Sequence, residues 1–156
     1  MSAPQMSTMP PDWHANVAMA PPAAAQVAAA LDAFCEAEHL PEDTAWRLRV
    51  ALDEIVANIV SHGAAGANPG AIDVWFRREG DMVEVRIADD GVPFDPLVRP
   101  TPNLTAPLED RGPGGLGIVL VKALMDEVRY ERTTRNILSL RRKIDAGSDP
   151  GHTRHP

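Results

Sequence analysis

The sequence predicts an α+β fold, a two-layer sandwich in which a mixed, mostly antiparallel sheet carries its helices on one face. Three observations lead there. Segments that alternate apolar and polar residues come in two adjacent pairs, 72–78 with 82–89 and 127–132 with 136–143, as hairpins do. Helical periodicity is clearest in Leu48, Leu52, Ile55 and Ile59, whose spacings of four, three and four make one apolar stripe suited to lie on a sheet. The 156 residues are enough for a single core. Because strands and helices follow one another in mixed order, an antiparallel sheet with helices on one side is the expected arrangement.

Each element has its own justification. Trp13 to Met19 can form a short strand, after which Pro21-Pro22 open a helix running to about Glu38, since proline is tolerated in a helix's first turn. A second helix follows Pro41, with Glu42 and Asp43 complementing its N-terminal dipole, and ends near His62-Gly63. Strands 72–78 and 82–89 are joined through Glu79-Gly80-Asp81. A Pro-rich loop over 92–113 precedes a helix beginning near Gly115, with Ile118, Val121, Leu124 and Met125 on its buried side. The strands 127–132 and 136–143 close the domain. The domain is thus expected over 13–143, with flexible ends at 1–12 and 144–156. A connection of some 20 residues is long for a compact domain, and a lid over a ligand accounts for its length and its position between two glycine-containing boxes.

Composition narrows the function. Fifteen Lys and Arg against 22 Asp and Glu give a net charge of −7, which disfavours direct binding to nucleic acid and favours a protein partner or small ligand. The single cysteine, Cys35, cannot form an internal disulfide, and it reads as a small hydrophobe in an Ala-rich helix in a reducing, cytoplasmic setting. No Lys or Arg precedes Arg47, so a secretory leader is not expected. The most apolar stretch, Ala15 to Phe34, is broken by Pro21-Pro22, so no membrane span is expected either.

Three motifs carry candidate chemistry. LDEIVANIVSHG places Glu54, Asn58 and His62 four residues apart on one helical face. Such spacing often marks a merely solvated face, but a carboxylate beside an amide oxygen can also orient a hydroxyl and ligate Mg²⁺. IADDGVPFDP ends an apolar strand in Asp89-Asp90-Gly91. Aspartates commonly terminate strands; alternatively, one of them accepts a hydrogen bond from an exocyclic amine while Gly91 lets a flat ring approach. RGPGGLGIVLVKALMDEV leads glycines into a helix start, where backbone amides and the helix dipole suit phosphate, although a plain glycine turn is the simpler alternative. No GK[ST] phosphate loop is present.

Together, in this order over about residues 13–143, the motifs resemble the histidine-kinase, gyrase and Hsp90 type of ATPase fold. Stretches such as NIVSHG and GLGIVLVKALMDEV look like the bacterial anti-sigma serine/threonine kinases in particular. The resemblance implies ATP and Mg²⁺ as cofactors, with Glu54 as the base for a substrate hydroxyl and Asn58 as the Mg²⁺ ligand. It further implies that Asp89 binds the adenine amine, that Gly91 shapes that pocket, and that Gly115, Leu116 and Gly117 line the phosphates. Implied partners are a STAS-type anti-anti-sigma factor, a sigma factor and a second copy in a homodimer.

Two positions depart from the family pattern. Pro93 stands where a second glycine is frequent, and no arginine immediately precedes the Gly-x-Gly, leaving Arg111 as the candidate γ-phosphate contact. An ATP-binding anti-sigma or adaptor module without phosphotransfer is therefore the alternative. The catalytic half of a two-component histidine kinase is disfavoured, because none of the five histidines sits in a phosphoacceptor hairpin; His62 reads as a helix-end or pocket-wall residue.

Overall fold

The structure, a computed structural model, describes residues 13–63, 70–98 and 115–145. Strand β1 (His14–Ala18) leads through Pro22 into helix α1 (Ala23–Ala37) and then α2 (Glu42–Gly63). Strands β2 (Ala71–Glu79) and β3 (Met82–Asp89) follow, then a short 3₁₀ turn (Pro96–Val98), helix α3 (Gly115–Leu124), and strands β4 (Glu127–Arg132) and β5 (Asn136–Lys143). The sheet order is β1-β2-β3-β5-β4. Every pairing among these strands is antiparallel, a simpler sheet than the mixed one expected.

Local chemistry sets the element ends. The β2–β3 hairpin turns on two residues, because Glu79 already pairs with Met82. Gly80 takes φ 63° there, as the first position of such a turn requires. Helix α1 is capped just beyond its end by His39, whose φ of 52° lets Leu40 and His39 donate back to the Cys35 and Glu36 carbonyls, the hydrogen-bond pattern of a left-handed helix cap.

Alternation then separates two faces. Ile72, Val74 and Phe76 on β2, Val83, Val85 and Ile87 on β3, and Leu138 and Leu140 on β5 are all buried beneath the helices. Leu48, Leu52 and Ile55 of the expected stripe join that core, as do Ile118, Val121, Leu124 and Met125. Phe34 of α1 sits at its centre, edge-on to Trp13 at 5.4 Å and stacked on Phe76 at 5.5 Å. Helix α2 packs between α1 and α3. Burial, and to a lesser degree the Asp32 charge, pushes the Cys35 thiol up to about 11, consistent with an inert core residue. No described helix is long and apolar enough to cross a membrane.

Candidate functional site

At the Asp89 end of the sheet a cleft opens between α2, β3, the start of α3 and the last two strands. Its walls are apolar at Ile55, Ile59, Ile118 and Leu138, and polar at Asn58, His62, Asp89 and Asn136.

The alternation of β3 decides which aspartate faces it. Val83, Val85 and Ile87 point inward, so Asp89 continues that row and is 6 % exposed. Asp90 is committed elsewhere: its carboxylate accepts from the Ala71 amide at 2.9 Å and from Arg135 Nε at 2.7 Å. Asp89 Oδ1 accepts from the Gly91 amide at 2.8 Å and from Asn136 Nδ2 at 3.0 Å. Its Oδ2 has no partner among the described residues, so one oxygen of this largely buried carboxylate is left for a donor brought by a ligand. The Gly91 carbonyl accepts from Arg132 at 3.2 Å, which fixes the turn on both sides.

Helix α2 supplies the opposite wall. Glu54, Asn58 and His62 share a face, and His62 is a helix-end and pocket-wall residue: its Nδ1 is 3.1 Å from the Asn58 carbonyl and its ring stacks on Phe94 at 4.8 Å. The side chains of Glu54 and Asn58 have no hydrogen-bond partner among the described residues. Two oxygen-bearing groups are thus unused beside the cleft, the ligand chemistry that Mg²⁺ requires.

Gly117 lies within the first turn of α3 and against Glu54. A Cβ there would overlap Glu54 Oε1 and come within 3.4 Å of its Cδ. The missing side chain therefore admits the Glu54 carboxylate, a role for this glycine additional to the expected amide contact. Gly115 begins α3, so the amides of Gly115, Leu116 and Gly117 belong to the first helical turn and lack intrahelical acceptors. Arg111 and most of the expected lid lie outside the described residues.

Asn136 and Tyr130 were not singled out by sequence. Asn136 opens β5 as the cross-strand partner of Asp89, and the Tyr130 hydroxyl donates to it at 2.6 Å. A signal existed: in NILSL the inward positions are Asn136, Leu138 and Leu140, and a polar amide on the core row of a strand calls for an explanation. On the other face of the sheet Asp73 accepts from His14 at 2.7 Å and Asn16 at 2.8 Å and pairs with Arg135 at 2.8 Å. Burial alone would raise the Asp73 pKa, but the hydrogen bonds from Asn16, His14 and Arg135 and the arginine's charge together hold it below the ordinary value.

The chain belongs to the histidine kinase-like ATPase domain family, whose profile matches residues 17–142. Among its relatives, the serine/threonine-protein kinase BtrW of Bordetella bronchiseptica is 37% identical over 109 residues, covering 66% of this chain and 77% of that protein. The serine-protein kinase RsbW of Listeria innocua is 34% identical over 94 residues, covering 53% of this chain and 55% of that protein. The chain thus aligns with only about half the length of this second relative. A solved structure of the RsbU and RsbW domains of a Mycobacterium tuberculosis protein superposes with a TM-score of 0.59 at 17% identity, over 84% of this chain and 32% of that one. That likeness is one of fold.

Proposed function

We propose that this chain is an ATP-dependent serine/threonine protein kinase that also acts as an anti-sigma factor. In this reading it phosphorylates a small STAS-type anti-anti-sigma partner and sequesters a sigma factor, as a cytoplasmic homodimer. The observation that carries the reading is the meeting in one cleft of Asp89, with a free oxygen, and the unpaired side chain of Asn58, while Glu54, one helical turn before Asn58, sits against the glycine-led start of α3. The kinase names of its relatives support the same reading. The sheet face that no described helix covers offers a surface for the second copy.

Asp89 would accept the adenine amine, and Gly91 would hold the turn that shapes that pocket. Gly115, Leu116 and Gly117 would turn backbone amides toward the phosphates. Asn58 would ligate Mg²⁺, which when bound offsets negative charge on the phosphates. Glu54 would take the proton of the partner's hydroxyl as that oxygen bonds to the γ-phosphorus, while the bond from the γ-phosphorus to the β–γ bridging oxygen breaks and ADP leaves. Arg111 would meet the γ-phosphate.

The test combines thermal shift with phosphotransfer. Mg-ATP at millimolar concentration should raise the melting temperature, because a ligand that binds only the folded state adds RT ln(1 + [L]/Kd) of stability. Glu54→Gln should keep that shift but lower the rate of partner phosphorylation by about 10²–10⁴-fold, whereas Asn58→Ala should reduce the shift itself. Absence of any shift in wild type sinks the nucleotide reading. A shift without phosphotransfer leaves the ATP-binding adaptor.

A further inference from the structure

We propose that Asn136 is a specificity-determining residue that fixes the cleft for a 6-amino purine and against a 6-oxo purine. The inference rests on the nucleotide reading above. Asn136 is 6 % exposed and lies directly across from Asp89. Two backbone groups decide which way its amide points. The Phe94 N–H can only donate, and it donates to Asn136 Oδ1 at 3.2 Å; the Val92 carbonyl can only accept, and it takes Nδ2 at 2.8 Å.

The rest follows from that orientation. Nδ2 must also face Asp89, donating to Oδ1 at 3.0 Å, while Asn136 Oδ1 must face the Tyr130 hydroxyl at 2.6 Å. The single hydroxyl proton of Tyr130 is therefore spent on Asn136. Both Nδ2 hydrogens are spent on Asp89 and Val92. With Asp89 ionised, these three side chains have no proton left to give a ligand, and the oxygen they leave unpaired is Asp89 Oδ2. A 6-amino group supplies the donor that this oxygen lacks, whereas a 6-oxo group sets oxygen against oxygen.

Asn136 thus acts through Asp89 and Tyr130, as a positioning residue that need not touch the base. Without it, Asp89 Oδ1 loses one of its two donors and the Tyr130 hydroxyl is free to turn and donate to a 6-oxo group.

The experiment compares ATP and ITP, which differ at this edge of the base, by calorimetric titration of the full chain with Mg²⁺. Wild type should favour ATP. Asn136→Ala, and Asn136→Leu, which keeps the side chain's shape, should lower the Kd ratio of ITP to ATP by about tenfold. Adding Tyr130→Phe to Asn136→Ala removes the freed donor and should recover part of the ratio. A residue that served only stability would lower the melting temperature and leave the ratio alone. Wild-type ratios in every folded variant overturn the inference while the nucleotide reading stands; failure of wild type to bind ATP overturns both.

Discussion

At the scale of single residues, the contact between Gly117 and Glu54 separates packing from chemistry. Because a methyl group at Gly117 would occupy the space of the Glu54 carboxylate, Gly117→Ala should push that carboxylate out of position. The backbone of α3 would gain, since alanine is favoured over glycine inside a helix by about 1 kcal/mol. The expected variant is therefore at least as stable as wild type yet slower in phosphotransfer by about 10²-fold. A melting curve and a single-turnover assay on the same preparation check both halves, and a wild-type rate would remove Glu54 from the role of base.

At the scale of elements, α2 and α3 are joined by a polar contact as well as by the core. Arg47 on α2 pairs with Asp43 at 2.8 Å and reaches the Leu124 carbonyl at 3.4 Å, placing a cation at the C-terminus of α3 where its dipole favours one. Helix α1 ends less comfortably, on an exposed His39 at φ 52°. A side chain in that left-handed region costs about 1 kcal/mol relative to glycine. His39→Gly should therefore raise stability by up to about 1 kcal/mol, or a few degrees in melting temperature for a chain of this size. Chemical denaturation should show a higher midpoint at unchanged slope; a lower midpoint would mean that His39 has a compensating role.

For the whole molecule, Asp73 ties β1 to β2 and to the turn ahead of β5 through His14, Asn16 and Arg135. Its pKa is lowered in the folded state from 3.8. A depressed carboxylate stabilises the fold fully above its unfolded pKa, and that contribution is lost as pH falls through the folded value. Stability should thus decline as pH drops below about 4. Asp73→Asn should be less stable at neutral pH by about 1–3 kcal/mol, with a flatter acid limb. Equal acid limbs in the two proteins would show that other carboxylates govern acid unfolding.

The sequence by itself determined the elements and the face each presents. Periods of two and 3.6 residues are local properties of the chain, so the strands 82–89, 127–132 and 136–143 and the helix starts near Pro22, Glu42 and Gly115 were legible to within a residue or so. It also named Glu54, Asn58 and Asp89 as candidates, because each stands in a motif of contiguous or helically spaced residues. Tertiary structure alone decided how those candidates meet. Only the β3–β5 register sets Asn136 against Asp89, 47 residues away, and only the packing of α3 on α2 shows that Gly117 makes room for Glu54. Strand alternation assigns Asp89 to the cleft and leaves Asp90 to Arg135, but which face is the cleft depends on where the helices lie. Contacts between distant segments follow from register and layer packing, which no local period encodes.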